Sequence, residues 1–470
     1  LGLFFCGRLL RRRKHDMLNR ENEREGMEIA VREKAEPFAP VIALLLLLVG
    51  AAVFGLYLGW ALMAGAILFT LDAKRHGRNW EQVGNMLAQG LKKAWIVVQV
   101  LLVIGLLTAS WISCGAIPCL VRLGALIIRP HVFLLCTFWL CAVMSFLLGT
   151  SFGTANTMGV VMMTLARAGG VSLPMTAGAI LCGIYVGDRC SPMSSSLLLL
   201  STLTETELYD NVGMTIRSML VPFVAASGGY LLCSVLSPLS AASTGLGEQL
   251  EAGFNLSPVV LLPTVVVFVL CLMRKPVKLA MAVSVILACL LAVFFQRMPA
   301  LELAKTLVFG YHLPETEPLS TILHGGGLSS MVTSIVIVTS SCAIAGIVEG
   351  TDLTARLGGR TGGGHLKTYQ KTLVTGFVTA AIGCNQTIAI VLTHAVRKDA
   401  YQTLGNQAFA RDMSFAGTLA PVLVPWCIAA YTPTSQLDVH GLGWMPFAFW
   451  LWFMLLWQGV YAWRMDWKAG

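Results

Sequence analysis

The sequence predicts an all-α polytopic membrane protein in which two inverted-topology repeats bring broken, re-entrant helices together at the bilayer midplane. Three observations predict it. Of 470 residues, 56% are hydrophobic and 12% are charged, with a mean hydropathy of +0.73, a composition outside that of soluble domains. Apolar runs of roughly the 20 residues needed to cross a bilayer recur from Phe38 onward and leave no polar domain of ordinary composition. Interruptions rich in Gly, Pro, Ser and Asp fall within these runs at matching places in the two halves.

In chain order, residues 1–36 form a basic segment. It contains Arg11–Lys14, Arg20, Arg24, Arg32 and Lys34, within a net charge of +9. Such a flank before the first span places the N-terminus in the cytoplasm, and a membrane flank explains the run better than nucleic-acid binding does. Leu1–Leu10 is too short to span, precedes its positive charges and so is no secretory signal. Because the first residue is Leu, either the start codon is unusual or the start lies further on, with Met17 and Met27 as candidates. The first transmembrane repeat is placed at 37–240, an external linker at 241–256 and the second repeat at 257–470. Candidate spans lie near 38–71 (one long helix or two short ones), 94–115, 131–149, 153–167, 172–187, 214–237, 257–273, 277–295, 329–349, 370–394, 408–431 and 445–462. About ten to thirteen crossings or half-crossings are expected at this spacing. The 13 cysteines stand singly in apolar runs without a C-x-x-C pair, so neither a disulfide framework nor zinc is expected.

The repeat is legible in the order of features. A long apolar segment leads to "EQVGNMLAQG" (Glu81–Gly90) and a span ending "TASWISCGAIPCLVRLG" (Thr108–Gly124). In the second half, "ELAKTLVFG" (Glu302–Gly310) leads to a span ending "TSSCAIAGIVEGTDLTARLGG" (Thr339–Gly359). His131–Gly149 and His365–Gly383 are equal steps, each opening a polar interruption: "GTSFGTANTMG" (Gly149–Gly159) and "GCNQTIAI" (Gly383–Ile390). A second interruption follows in each half, "GDRCSPMSSS" (Gly187–Ser196) and "RDMSFAGTLAPVLVPW" (Arg411–Trp426). Lys74, Arg75, Arg78, Lys92 and Lys93 precede the first-half element at 94. The region before 329 has only Arg297 and Lys305 among Glu302, Glu315 and Glu317. After the elements the bias reverses, with Arg356, Arg360, Lys367 and Lys371 against Arg122 and Arg129. This is the charge signature of inverted repeats, a plan shared by many secondary transporters.

Irregular backbone at membrane depth is tolerated only where protein or a water-filled cavity surrounds it. In a helix Pro192 would free the carbonyl of Asp188, while Pro421 and Pro425 would free those of Gly417 and Pro421. Freed carbonyls beside the negative ends of half-helices suit a cation. Hydroxyls and amides of Thr154, Asn156, Thr157, Ser191, Ser194, Ser195, Ser196, Asn385, Gln386, Thr387 and Ser414 add oxygen donors of the type hard cations need. Asp188 is the sharpest candidate, since a charge at the membrane centre costs about 2.5–3.5 kcal/mol on insertion scales. Burial favours its protonated form and a bound cation its carboxylate, so one group can hold either. Asp412 is the second acid. The plainer alternatives are that Asp188 and Arg189 occupy an edge loop or pair with each other, and that the hydroxyl residues serve close helix packing. His131, His365 and His394 read as span-end or cavity residues. "GTSFG" (Gly149–Gly153) fits a nucleophile elbow with Ser151, and His394 as partner would make a membrane-embedded serine hydrolase the remote alternative; that elbow requires an α/β sheet.

In order, "GTSFGTANTMG", "GDRCSPMSSS" and "AGTLAPVLVPW" (Ala416–Trp426) resemble the NhaC-type sodium/proton antiporters, over most of 38–465. The resemblance implies a non-enzymatic, multi-pass carrier of the bacterial inner membrane that works by alternating access. It would exchange Na+ for H+, with Asp188 matching the acid of the family pattern G-D-K-x-S-P-L-S-D and serving as the Na+ site. This chain departs from the pattern at Arg189 for Lys, at Ser195 for a second Asp, and at Ser414 and Phe415 for an acidic pair, with Cys427 where Asn is common. Fewer acids balance fewer cations, and Arg189 is a candidate for charge balance or for a carboxylate. The runner-up is therefore a cation-coupled carrier of organic acids or amino acids, as in relatives exchanging malate for lactate. Expected partners are Na+, H+, the lipid bilayer, a second copy in a homodimer and, in the runner-up, a small organic anion; no cofactor and no nucleic acid is expected.

Overall fold

The computed structural model describes residues 39–54, 56–239, 246–273, 275–313, 323–351, 364–439 and 441–469. The basic N-terminal segment, the start of the 241–256 linker, Glu315, Glu317, Arg356 and Arg360 lie outside them. Among the described residues the regular elements are helical, with one isolated bridge between Tyr311 and Gly325.

The first apolar segment is two helices, α1 (Ala39–Val53) and α2 (Leu58–Arg75), which settles the choice the sequence left open. After a short turn, Asn79 and Gln82 form a capping box that starts α3 (Trp80–Ser113), whose first amide bonds the Asn79 side chain at 2.7 Å. With 34 residues, α3 is about 50 Å long, longer than the hydrocarbon layer. A short helix, α4 (Ala116–Ile127), follows.

From there the order is a helix running to a break, a return, a broken helix and a long helix. In the first half these are α5 (Phe133–Leu148), α6 (Ser151–Thr154) continued through a π-helical turn Ala155–Gly159 into α7 (Val160–Ala168), then α8 (Leu173–Cys190), α9 (Ser195–Leu203) and α10 (Leu208–Leu236). Between the halves lie α11 (Leu246–Gly253), α12 (Leu262–Leu272), α13 (Val277–Phe294) and α14 (Ala300–Phe309). The order then recurs in α15 (Val332–Gly350), α16 (His365–Gly383), α17 (Gln386–Arg397), α18 (Asn406–Ala416), α19 (Ile428–Gln436) and α20 (Phe449–Ala469).

The single spans expected at 370–394 and 408–431 are not continuous. Cys384 takes a left-handed φ of +48° and Asn385 caps a new helix, accepting from the Thr387 amide at 2.8 Å. The chain therefore folds back, and α16 packs on α17 through a 2.7 Å contact between Thr379 and Thr393 hydroxyls. Downstream, Asn406–Leu423 and Ile428–Gln436 meet at a 46° bend. Of the described helices, four are long and apolar enough for a complete span: Trp80–Ser113, Pro130–Leu148, Leu208–Leu236 and Ser329–Gly350; counting the bent pair as one gives five. Ala39–Ala51, Pro258–Leu270 and Lys278–Phe294 are apolar but shorter. Many of the expected crossings are thus half-length pieces.

Close packing rests on small residues. Gly183 and Gly187 of α8 lie against backbone of Phe138 and Ser145 on α5, where the Ser145 hydroxyl donates to the Ile184 carbonyl. Gly90 of α3 and Gly346 of α15 approach each other's helix backbone in the same way, and Lys93 pairs with Glu349 at 2.5 Å across that contact. At opposite ends of the breaks the halves touch reciprocally. Arg167, ending α7, donates to the Leu437 carbonyl after α19 at 2.8 Å, and His394 of α17 reaches the Leu203 backbone that ends α9.

Candidate functional site

Helix α8 stops at Cys190, two residues before Pro192. The Asp188 carbonyl, left without a helical donor, accepts from the Ser194 hydroxyl at 2.5 Å. Ser194 in turn caps α9, accepting from the Leu197 amide at 3.3 Å. The proline therefore does what its chemistry requires: it ends one half-helix and frees a carbonyl that the next half-helix's cap takes up.

The Asp188 side chain is buried, at 4% exposure, although Ser195 and Thr387 beside the site are exposed. Its Oδ1 lies 3.2 Å from each of the Ser194 and Ser196 hydroxyls. Its Oδ2 accepts from Gln386 Nε2 at 2.8 Å. That same amide donates to the Thr418 carbonyl at 2.9 Å, in the unwound stretch after α18. One side chain of the second half thus joins the acid of the first half to the second half's own break. Nearby, Tyr185 donates to the Ala429 carbonyl at 2.6 Å, and the Ile428 amide bonds the Cys384 carbonyl at 2.8 Å. The C-terminal ends of α8 and α18 and the N-terminal ends of α9 and α17 converge here.

The other candidates divide. Gln386 is present as a donor to the carboxylate rather than as an oxygen ligand. Asn385 is a helix cap, and Thr387 is exposed. Ser191, fully buried, accepts from the Met193 amide at 3.2 Å. Thr154 and Thr157 turn back on their own helix, bonding carbonyls of Thr150 and Gly153 at 2.8 and 2.9 Å. Asn156, on the π turn that packs against α19, donates to the Phe152 carbonyl at 2.6 Å and keeps a buried Oδ1 with no partner. Pro421 lies in a short 3-10 turn, Ala420–Leu423, and Pro425 follows it, so together they unwind the chain between α18 and α19.

Asp412 is brought elsewhere. Its Oδ2 meets His365 Nε2 at 2.9 Å and the Tyr401 hydroxyl at 2.7 Å, and Tyr401 also contacts Thr372 Oγ1 at 3.0 Å. All four residues are buried. Arg189 does not pair with Asp188, because adjacent residues at a helix end point around different sides of it. The guanidinium contacts the Thr215 carbonyl at 3.1 Å and the hydroxyls of Ser218 and Ser414 at 2.9 and 3.0 Å. Ser414 is thereby Arg189's partner rather than a ligand beside Asp188. Ser151 and His394 form no dyad: His394 stacks on Phe409 at 5.3 Å, while Ser151 opens α6 beside Tyr185.

Asp188, Ser194, Ser196, Gln386 and Thr418 lie within residues 183–463, the span matched by the sequence model of the Na+/H+ antiporter family. The chain belongs to that family. It is 28% identical to the malate-2H(+)/Na(+)-lactate antiporter of Bacillus subtilis, over 84% of this chain and 86% of that one. It is also 28% identical to the Na(+)/H(+) antiporter NhaC of Alkalihalophilus pseudofirmus, over 89% and 88% of the two chains. The arginine/ornithine antiporter ArcD of Halobacterium salinarum shares 28% identity over 88% of this chain and 87% of its own. Family membership and apolar helices together make this a multi-pass membrane protein, and the matched region holds Asp188, Gln386, Asp412 and all three prolines.

No local pattern of residues signals the Tyr185 bond to Ala429 or the His365 and Tyr401 contacts to Asp412. Each joins residues far apart in the chain or on separate helices.

Proposed function

We propose that this antiporter exchanges Na+ for H+ across the bacterial cytoplasmic membrane by alternating access, with its N-terminus in the cytoplasm and Asp188 as the group that holds proton and cation in turn. The observation that carries the reading is the buried Asp188 carboxylate shared between Ser194, Ser196 and Gln386 where two interrupted helices meet. These neighbours are neutral, so the carboxylate's charge is open to neutralisation by either a proton or a metal ion. Arrival of Na+ would draw on Asp188, the hydroxyls of Ser194 and Ser196 and the unclaimed Asn156 Oδ1. It would displace the Gln386 donor, which the Thr418 carbonyl would retain.

The recurrent order of helices, the reciprocal contacts of Arg167 with Leu437 and of His394 with Leu203, and the reversal of charge between matched loops support two inverted repeats at 37–240 and 257–470. Rocking of one repeat against the other would expose Asp188 to each side in turn. A second reading, coupling of cation movement to an organic acid, is favoured by Arg189, buried without an ion pair to an acid among the described residues, and by the malate/lactate and arginine/ornithine relatives.

Everted vesicles test the main reading. Wild-type protein should release protons from an acidified interior on addition of Na+, and Asp188→Asn should abolish this while inserting normally. Unchanged proton release in the variant removes Asp188 from the mechanism.

A further inference from the structure

A cavity of about 160 Å³ lies where the two halves meet at one end of the bundle. Thr164 and Arg167 of α7 line one side of it, Gln436 and Asp438 at the end of α19 another, and His324 of the loop before α15 a third. Glycine holds that loop in place. Gly326, at a φ of +71°, lies against the Ala109 backbone of α3, and the Gly327 amide donates to the Gly105 carbonyl at 2.7 Å. Asp438 Oδ2 then stands 3.3 Å from the Arg167 guanidinium and 3.4 Å from His324 Nε2. The Asp438 side chain is 54% exposed, and an ion pair that faces water is weak enough to part and re-form as ions pass.

Unused polar atoms continue inward from this cavity. In its wall, both amide atoms of Gln436 are buried and bonded to no protein group among the described residues. Thr432 stands four residues earlier, on the same face of α19, and its buried hydroxyl is likewise unbonded. On the facing element, Asn156 stands four residues before Val160, which lines the cavity, and carries the unbonded Oδ1. The two elements touch: the π turn packs against α19, and a Cβ at Gly159 would lie 3.6 Å from the Leu437 side chain. Buried polar groups in native proteins are nearly always satisfied, by water where protein supplies no partner. Three that are not, on two touching elements that run inward from one polar cavity, mark a track that water or an ion occupies. From Gln436, α19 reaches Ala429 in about 10 Å. There the carbonyl accepts from Tyr185, which precedes Asp188 on α8 by one turn.

We propose that this cavity is the outer port of the exchanger, and that Na+ and H+ pass between it and Asp188 along Gln436 and Thr432. Under the orientation proposed above, α3 begins on the cytoplasmic side beside Lys74, Arg75 and Arg78, and its far end, at Thr108 and Ile112, walls the cavity, which therefore opens outward. Amide and hydroxyl oxygens can replace the water of a hard cation as it moves inward. The inference rests on Asp188 as the exchange site and adds the route that leads to it.

The test uses the full chain. Thr432→Val keeps the shape of the side chain and removes its oxygen, and Gln436→Leu removes the amide. In proteoliposomes each should slow Na+-driven proton movement about tenfold, as expected when a moving ion loses one of the few oxygens that replace its water. Thr432→Ser should restore most of the rate. In detergent the unfolding temperature of Thr432→Val should hold or rise, because an unbonded buried oxygen gives way to a methyl group, and its half-saturating Na+ concentration for thermal stabilisation should stay within about twofold of wild type. Ser330→Cys, at an exposed position on the cavity wall, should transport until a membrane-impermeant cationic methanethiosulfonate is added outside intact cells, and stop once labelling is complete by mass; wild type treated in the same way should continue. Full-rate exchange in both Thr432→Val and Gln436→Leu, a loss of rate that follows a fall in unfolding temperature and is not restored by Thr432→Ser, or complete outside labelling of Ser330→Cys without effect overturns the proposal. Should the Thr432 and Gln436 variants fail to fold, the Ser330→Cys label decides alone. Asp188→Asn is measured beside them. If it keeps the Na+ stabilisation while Thr432→Val slows exchange, the Asp188 reading fails and the port stands; if it loses that stabilisation while Thr432→Val exchanges at full rate, the port alone fails.

Discussion

Asp188 and Asp412 are both buried carboxylates within the membrane-spanning region, yet their settings are opposite. Asp188 occupies the last turn of a helix that ends two residues later, its oxygens met by hydroxyls and an amide from the cap and first turns of two other helices. Asp412 lies inside α18, clasped by His365 and Tyr401 from two other elements and sealed from its surroundings. A break supplies neighbours that can be exchanged, because caps and freed carbonyls carry spare hydrogen-bonding capacity. A continuous helix supplies none, so its acid is fixed by partners that also hold the fold. Under the exchange mechanism proposed above, the contrast would give exchange chemistry to the first and architecture to the second.

Substitutions can break this contrast. The largest effect is expected at Asp188: Asp188→Asn should eliminate Na+-driven proton movement in proteoliposomes while leaving thermal unfolding near that of the wild type. Asp412→Ala should do the reverse. Removing one member of a buried pair costs about 3 kcal/mol or more, so a clear fall in unfolding temperature is expected, with residual exchange in the protein that remains folded. If Asp412→Ala abolishes exchange at unchanged stability, the two acids are not different in kind.

Smaller effects sharpen the comparison. Gln386→Ala removes a donor from the Asp188 carboxylate, an interaction worth about 1.5–3 kcal/mol. The carboxylate then binds protons more readily. The Na+ concentration for half-maximal exchange should rise by about tenfold, most visibly at low pH, where protons compete best; an unchanged value would mean that the contact is incidental. Ser194→Ala removes both a cap and a neighbour of Asp188, so about 1 kcal/mol of stability should go, together with a severalfold rise in that Na+ concentration. Thr387→Ala, at an exposed position whose hydroxyl makes no described bond, should leave both measurements unchanged. A large loss there would bring Thr387 back as a ligand.

Much of the break architecture was legible in the residues. Pro192, with Ser194 after it, announced both the end of α8 and the cap of α9, since a missing N–H and a side-chain acceptor are local properties. The fold-back at Cys384 was not legible: Gly383 drew attention as the hinge, but the left-handed residue is the cysteine after it, so 370–394 reads as one apolar span. Thr154, Asn156 and Thr157 illustrate the limit of composition. Three polar side chains in a row suggest ligands, yet two spend their hydroxyls on their own helix and only Asn156 keeps a free oxygen.

Composition and punctuation by themselves determined that this chain is a bundle of membrane helices and that one of them ends at Pro192, beside Asp188. Apolar burial and backbone propensity act on neighbours in sequence, so they can be read in order. Tertiary structure alone decided who meets whom: Gln386 with Asp188, Asp412 with His365, and Arg189 with Ser414 rather than with the acid next to it. Those choices depend on how helices distant in the chain settle against one another through glycine-lined contacts. A side chain's partner is then fixed by the angle at which it leaves a packed helix, a quantity that no local pattern of residues contains.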